Sequence, residues 1–454
     1  MKVIVVGSSH AGYEAVQTLL KDLPEAEIHL YEKGPTVSFL SCGIQSYLKD
    51  ISNSLDELHY ATESSYEEQG VKVHTNSEVT SVDPEAKTIT VKTADGETET
   101  SYDRLVLTPG AKPFALPVDG TDLEHVYYLR GREWADQVKT RMASAKKAVV
   151  VGAGYIGIEV MEAFVKAGIE TTVVDTLDSI LPTYLDEEFT NILKDDLEKR
   201  GVAVRTGEMV KEIVGENGAV TKVVTDKGEY EADTVVIAAG IRPATEWLKG
   251  IVNLDEKGMI EVNEYMQTSQ ADIYAAGDAT KIPYTPTQAK AHIALASNAR
   301  RQGIVAAKNI ASEQPSMKMN SVQGTSGLAL FDYYFAGTGV KAIDADQCEE
   351  ELLSHYVEEK IRPDFMHNQE NTIMMKVYYG KDSHIIKGAQ LMSKQNIVAS
   401  INTLAVVIEA EWTLEKLSRA DFFFQPEYNR PWNYLNVLAL DALNNPYGSD
   451  KMLF

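Results

Sequence analysis

The segment Lys147-Ala148-Val149-Val150-Val151-Gly152-Ala153-Gly154-Tyr155-Ile156-Gly157 decides the fold class of this chain. Its apolar, β-branched start predicts a buried parallel strand, and a helix is expected directly after the glycines. In such a unit Gly152 permits the tight turn, Gly154 lets the main chain approach a pyrophosphate, and Gly157 allows close packing of helix on strand. The sequence therefore predicts an α/β fold with a dinucleotide at the helix N-terminus.

An acidic residue follows the second strand of this unit, at the position that determines which dinucleotide binds. Asp175 follows the predicted strand Glu170–Val174, and its carboxylate can accept hydrogen bonds from both ribose hydroxyls. It would repel a 2′-phosphate, so the sequence predicts NADH rather than NADPH. The remaining predicted NADH contacts are Tyr155 and Ile156 in the glycine motif and Gly240 after a later apolar strand.

The same architecture occurs a second time at the N-terminus. The strand Lys2–Val6 leads into Gly7-x-Ser9-x-x-Gly12, and Glu32 ends the next predicted strand. Two such units imply two bound dinucleotides. Because Ser9 replaces the middle glycine, an ordinary strand–helix turn with a surface glutamate is the alternative interpretation.

A further glycine turn indicates what the second dinucleotide is. The segment Thr268-Ser269-Gln270-Ala271-Asp272-Ile273-Tyr274-Ala275-Ala276-Gly277-Asp278 resembles the second FAD fingerprint of flavoproteins with two dinucleotide-binding domains. In that fingerprint Asp278 would hydrogen-bond the ribitol chain, and a simple Gly-Asp turn is the alternative interpretation. The other predicted FAD contacts are Gly7, Ser9, Gly12, Glu32, Lys33, Ser41, Thr108 and Gly110.

Cys42 follows the first glycine turn, and the chain has one other cysteine, Cys348, far away in sequence. Redox chemistry at Cys42 would therefore use one sulfur, which can cycle between thiolate and sulfenic acid, whereas a disulfide needs a second thiol. We expect Cys42 to be buried, because burial protects a sulfenic acid from further oxidation. Cys348 lies among four carboxylates, which raise a thiol pKa, so we interpret it as structural.

The overall composition limits which cellular compartment and which binding partners we expect. The 454 residues suggest about three domains, and the formal charge of −24 argues against nucleic acid and anionic membranes as partners. No apolar segment approaches the length of a transmembrane helix, and two cysteines point to a reducing compartment. We expect a cytoplasmic protein without a metal site.

Together these motifs resemble the pyridine nucleotide–disulfide oxidoreductase family over essentially the whole chain. The segment Ser38-Phe39-Leu40-Ser41-Cys42-Gly43 is similar to the redox-cysteine signature of the branch that contains NADH peroxidases, NADH oxidases and coenzyme A-disulfide reductases. Tyr47 stands where paired-cysteine members have their second cysteine. The resemblance implies an FAD domain from residues 1–112 and 244–312, an NADH domain at 113–243, and a C-terminal α+β interface domain at 313–454 that pairs subunits into a homodimer or homotetramer.

Within that branch the resemblance is greatest to the NADH peroxidases, and it implies reduction of H2O2 by NADH through Cys42. His10 would hydrogen-bond the sulfenic acid or move a proton, and a histidine that only caps the turn is the alternative. Arg300, in a predicted helix Ile293–Ala307, would stabilise thiolate or leaving hydroxide. A water-forming NADH oxidase that uses O2 is the main alternative activity, followed by a coenzyme A-disulfide reductase and a redox-sensing flavoprotein without catalysis.

Overall fold

The structure is a computed structural model, and it describes residues 1–366 and 370–444. The predicted strand Lys2–Val6 is confirmed, the next strand is Glu27–Tyr31, and the first helix begins at His10. The apolar run Val3–Val5 is fully buried, as expected for a central parallel strand. The first region contains β1 (Lys2–Val6), α1 (His10–Asp22), β2 (Glu27–Tyr31), α2 (Ile44–Leu48), α3 (Glu63–Glu67), β3 (Lys72–His74), β4 (Glu78–Asp83), β5 (Thr88–Thr93), β6 (Gly96–Ser101), β7 (Arg104–Leu107) and β8 (Ala111–Pro113).

The second region repeats the strand–turn–helix unit around the deciding segment. Its parallel sheet has the strand order β12-β11-β10-β16-β9, and the β10 residue Val149 pairs with Thr172 on one side and with Val235 on the other. The predicted strand Lys147–Val151 is confirmed. The region contains β9 (Val126–Tyr128), α4 (Arg132–Met142), β10 (Lys147–Val151), α5 (Tyr155–Lys166), β11 (Glu170–Asp175), α6 (Glu187–Lys199), β12 (Ala203–Thr206), β13 (Val210–Glu216), β14 (Ala219–Thr225), β15 (Glu229–Glu231), β16 (Thr234–Ile237) and β17 (Ile241–Pro243).

After β17 the chain returns to the first region. The next elements are β18 (Ile273–Ala275), β19 (Ile282–Tyr284), β20 (Ala289–Ala291) and α7 (Ala296–Ala311). β18 pairs in parallel with β7, so the first sheet has the order β18-β7-β1-β2-β3, and α7 packs along α1. This sheet therefore combines strands from residues 1–112 and 244–312, while the predicted domain boundaries themselves stay a prediction.

The last region is an antiparallel sheet with helices. Met375 lies opposite Leu391 in an antiparallel strand pair, and His384 in the turn between the two strands adopts a left-handed φ of 54°. The sheet has the order β21-β22-β25-β24-β23. The region contains β21 (Ser326–Leu330), β22 (Tyr333–Gly339), α8 (Ala342–Ala345), β23 (Leu352–Lys360), β24 (Thr372–Gly380), β25 (Ile386–Ser393), α9 (Ile401–Glu409), α10 (Leu414–Ser418) and α11 (Tyr434–Ala442).

The fold class is therefore α/β, with two Rossmann-like parallel sheets and a C-terminal α+β region. Of the helices in residues 1–366 and 370–444, none combines the length and the apolar character needed to cross a membrane.

One buried carboxylate connects the three regions. Glu162 of α5 accepts hydrogen bonds from the ammonium groups of Lys49 at 2.7 Å and Lys166 at 2.8 Å, and from the main-chain N–H of Phe331 at 2.8 Å. Burial alone would raise the pKa of Glu162. The hydrogen bonds from Lys166 and Lys49 nevertheless hold this pKa below its ordinary value. The pair with Lys49 is almost completely buried, with side-chain exposures of 8% and 2%.

Lys49→Met should lower the free energy of unfolding by about 3 kcal/mol, because it removes one charge of a buried ion pair. The matched control is Lys33→Met, which breaks the pair with Glu78 at the surface, where both side chains are exposed. That change should cost less than about 1 kcal/mol. Urea unfolding of both variants measures the two effects, and equal losses would show that the buried pair does not connect the regions energetically.

Candidate active site

A single cavity of about 1140 Å³ is lined by residues from all three regions. It brings together most of the site residues that the sequence predicts. The predicted residues that line it are Ser9, His10, Gly12, Ser41, Cys42, Thr108, Gly110, Gly152, Gly154, Tyr155, Ile156, Asp175, Gly240 and Asp278.

Other predicted residues do not line this cavity. The Glu32 carboxylate accepts hydrogen bonds from the Ser8 hydroxyl at 2.6 Å and the Gly34 N–H at 2.9 Å, so it stabilises the first glycine turn. Lys33 forms a surface ion pair with Glu78 at 2.7 Å. Ribose binding by Glu32 stays a prediction, and the side chain of Lys33 is directed to the surface.

Close main-chain approach explains the outer glycines of both motifs. A Cβ at Gly12 would lie 1.9 Å from the Gly7 oxygen, and a Cβ at Gly157 would lie 1.8 Å from the Gly152 oxygen. The helices therefore pack on their own turns, which positions the helix N-termini at the cavity. At Gly154, in contrast, no atom of the described residues beyond its two chain neighbours lies within 4 Å of the Cβ position. That open space fits a pyrophosphate.

Asp175 serves both the turn and the cavity. Its carboxylate accepts hydrogen bonds from the N–H of Ala153 at 2.6 Å and the N–H of Leu177 at 2.8 Å. The side chain also lines the cavity, beside the exposed side chain of Leu177. A negative charge is thus fixed where the predicted ribose would lie, which agrees with the predicted preference for NADH.

Cys42 lies in a short 3-10 turn, Ser41–Gly43, at the start of α2. The expectation that Cys42 is buried is wrong: the residue is exposed, because its side chain opens into the cavity. The surrounding protein still removes much of the solvent from the sulfur. This desolvation raises the pKa of the Cys42 thiol, and the Glu159 carboxylate raises it further, while the Arg300 charge opposes both.

His10 is the residue that faces the sulfur. Its Nε2 atom lies 3.9 Å from Cys42 Sγ, and its ring stacks on Tyr60 with centroids 5.0 Å apart. Burial lowers the pKa of His10, and the Arg300 charge lowers it further. Both effects favour the neutral imidazole.

Arg300, which the resemblance predicts to support the thiolate electrostatically, contacts His10 beside Cys42. Its Nε–H donates to His10 Nδ1 at 3.3 Å, and its Nη1 pairs with Glu14 at 2.6 Å. The guanidinium also lies over the rings of Tyr13 and Tyr60. Since Nδ1 accepts this hydrogen bond, a neutral His10 carries its proton on Nε2, directed towards the sulfur.

The helix that carries Arg300 differs slightly from its prediction. It begins at Ala296 rather than at Ile293. The neighbouring Arg301 lies about 100° away from Arg300 around the helix and donates to Asn298 at 2.9 Å.

Cys348 is half-buried, and its thiol donates to the Pro286 oxygen at 3.2 Å. Burial is the main cause that raises its pKa, followed by the charge of Asp344. In the described residues, no group of three or more His, Cys, Asp or Glu side chains is arranged to hold a metal ion.

Three charged cavity residues were missed by the sequence interpretation: Arg130, Glu159 and Glu208. Arg130 pairs with Asp278 at 3.0 Å, and no local pattern marks it. Glu159 lies one helical turn after Tyr155, so the two side chains share a face of the helix. The sequence could therefore have predicted that Glu159 reaches the same cavity as Tyr155. Burial raises the pKa of Glu159 to about 7, Lys49 opposes this shift, and Glu162 adds to it.

Comparison with known proteins identifies the family of proteins to which this chain is similar. Residues 1–303 match the family model described as pyridine nucleotide-disulphide oxidoreductase. The chain belongs to this family. An NADH oxidase of Enterococcus faecalis is 43% identical over 98% of this chain and 100% of its own length. The structure of a water-forming NADH oxidase from Lactobacillus brevis bound to NADH has a TM-score of 0.94 and 37% identity, covering 98% of both chains.

A second similar solved structure is an NAD-dependent persulfide reductase from A. fulgidus. It has a TM-score of 0.93 and 30% identity, and it covers 99% of this chain and 84% of its own. The protein is thus a flavoprotein oxidoreductase, and its cofactors are FAD and NADH.

Glu159→Gln should become increasingly stabilising relative to the wild type as the pH rises from about 5 to about 7. In this range the unfolded carboxyl ionises while the folded one keeps its proton, so the wild type loses stability, and above pH 7 the loss is complete. Thermal unfolding of both proteins at several pH values measures the difference. Glu97→Gln, at an exposed residue of β6, is the control. A pH-independent difference would contradict the raised pKa.

Proposed function

We propose that the protein is a water-forming NADH oxidase that reduces O2 with electrons from NADH. The observation that carries the proposal is the contact between Cys42 and His10 inside the cavity that also holds Asp175 and Asp278. The similar proteins named NADH oxidase support this activity over the peroxidase that the sequence motifs favoured. The main interpretation of the motifs therefore gives way to their first alternative.

The residues of the cavity fit both cofactors. Asp278 and the main chain around Gly110 lie near Cys42 in the same lining, and no described atom lies within 4 Å of a Cβ built at Gly110. The α5 N-terminus and Asp175 form a second binding surface, for NADH. When bound, FAD carries the two electrons of a hydride from NADH to the oxygen substrate and to sulfur.

The role of Cys42 is to reduce the peroxide that forms from O2 to water. Its thiolate attacks one peroxide oxygen, the O–O bond breaks, and the products are sulfenic acid and hydroxide, which takes up a proton to form water. Two electrons and a proton, supplied as hydride by NADH, then return the sulfenic acid to thiolate and a second water. With no thiol at Tyr47, the sulfenic acid has no neighbouring cysteine for a disulfide.

His10 and Arg300 act together on this step. The Nε2–H of His10 can donate a hydrogen bond to the sulfur or to the peroxide oxygen next to it. Arg300 fixes the tautomer and the orientation of the ring through Nδ1, and the Glu14 carboxylate holds the guanidinium in place. Arg300 is thus a positioning residue for His10, and its charge also lowers the pKa of the Cys42 thiol against the larger effect of desolvation.

An NADH peroxidase is the second candidate, because the Cys42–His10 pair suits H2O2 whether it is formed in the site or enters from solution. Oxygen consumption decides between the two activities. An oxidase oxidises NADH in air without added peroxide, whereas a peroxidase needs H2O2 and works equally well under argon.

We further propose a homodimer, or a tetramer built from it, that pairs through the C-terminal region. Three aromatic side chains there are largely exposed: Phe423 by 67%, Tyr428 by 60% and Phe424 by 48%. Contiguous exposed aromatic surface is typical of protein interfaces. Pairing with the same surface of a second copy of the chain would bury these side chains.

Cys42→Ser should convert the oxidase from water formation to peroxide formation, because hydride transfer does not need the sulfur. The wild type should oxidise two NADH per O2, as four-electron reduction requires, and the variant one NADH per O2 with H2O2 released. An oxygen electrode with and without catalase measures both ratios, and Cys348→Ser serves as the matched control. Release of stoichiometric H2O2 by the wild type, or water formation by Cys42→Ser, would refute the proposed role.

A further inference from the structure

A second acidic residue lies beside Asp175 in the wall of the cavity. Asp175 is the last residue of β11, Glu208 follows the neighbouring strand β12, and both residues line the cavity. The Glu208 N–H donates to the main-chain oxygen of Asp175 at 2.9 Å. Because β11 and β12 are parallel, the two carboxylates lie at the same end of the sheet, which is the end where ligands of such sheets bind.

The Glu208 side chain is buried, and its hydrogen-bond partners are neutral. The residue is 8% exposed, and its carboxylate accepts from the Thr225 hydroxyl at 2.8 Å and from the Tyr230 hydroxyl at 2.8 and 3.0 Å. Burial raises the pKa of Tyr230, and the hydrogen bond and charge of Glu208 raise it further, so the phenol keeps the proton that it donates. These hydroxyls fix the carboxylate in place, but they bring no positive charge to neutralise it.

Neither carboxylate forms an ion pair within residues 1–366 and 370–444. The partners of Asp175 are main-chain N–H groups, and those of Glu208 are hydroxyls. Two cations lie in the neighbourhood. The Arg205 guanidinium lies over the Tyr230 ring, 5.7 Å from its centroid, and the Lys227 ammonium lies beside the turn after β12. This part of the cavity wall therefore carries two negative charges that are not paired with a described cation.

We propose that Glu208 is a second specificity-determining residue, which acts with Asp175 to exclude nicotinamide coenzymes that carry a 2′-phosphate. Such a phosphate adds roughly two negative charges at neutral pH, whereas NADH has only a hydroxyl at this position. Glu208 acts through its charge, because its hydrogen bonds are made to Thr225 and Tyr230. The inference rests on the proposed position of the coenzyme ribose at Asp175, but it does not depend on whether O2 or H2O2 is reduced.

Glu208→Gln should weaken this discrimination. The amide has nearly the shape of the carboxylate and can still accept from the hydroxyls, so the change removes a charge and little else. The ratio of the Kd for NADP+ to the Kd for NAD+ should fall about three- to tenfold, as expected for the loss of one like charge several ångströms from a phosphate. High salt should reduce this difference between variant and wild type, because it screens the phosphate from the carboxylate.

Calorimetric titration of NADP+ and of NAD+ into the oxidised holoenzyme measures the ratio without any turnover. Tyr230→Phe is the matched control, since it removes a hydrogen bond from Glu208 but leaves the charge, and it should not lower the ratio. An unchanged ratio in Glu208→Gln, or an equal fall in Tyr230→Phe, would overturn the proposal.

Asp175→Asn, measured in the same titrations, tests the position of the ribose. A fall in the ratio with Asp175→Asn but none with Glu208→Gln would refute the role of Glu208 alone. No fall with either variant would refute the proposed position of the ribose as well. The Cys42→Ser oxygen measurements are independent of these titrations, so failure of the Glu208 proposal and failure of the oxidase function are distinguishable.

Discussion

The buried carboxylate of Glu162 is the interaction on which the geometry of the cavity depends. It lies on α5, the helix that presents Gly154 and Tyr155, and it binds Lys49, which follows the helix after Cys42. Its third contact, with Phe331, comes from the turn between β21 and β22 of the C-terminal sheet. Because a buried charge without its partners is costly, the coenzyme helix, the cysteine turn and the C-terminal sheet are held in one arrangement.

Within this arrangement the polypeptide does not by itself favour a thiolate. Desolvation and the Glu159 carboxylate raise the pKa of Cys42, and the charge of Arg300 is largely committed to Glu14 and to two aromatic rings. What the chain supplies at the sulfur is a directed N–H from His10 in a partly desolvated space. The site is therefore better described as an oriented hydrogen-bond donor than as a cluster of positive charge.

The sequence was sufficient for the fold class and for most of the cavity lining, because those features are local. The strand Lys147–Val151 and the glycine turn after it follow from β-branched residues and from main-chain contacts between neighbouring residues. The position of Arg300 behind His10 was not predictable, since it depends on how α7 packs against α1. The prediction that Cys42 is buried was wrong for a similar reason. The cavity that exposes Cys42 is formed where three regions meet, so no single sequence segment predicts it.

The two hydrogen bonds that Asp175 accepts from the main chain have an evolutionary consequence. A substitution here that admitted a phosphorylated ribose would also leave the N–H groups of Ala153 and Leu177 without their acceptor. Because both groups lie beside the cavity, a change of coenzyme would also require another acceptor or water for these hydrogen bonds. A lineage that switched coenzymes would need a compensating acceptor in the same loop, and coenzyme choice in this chain is therefore inherited together with the architecture of its turn.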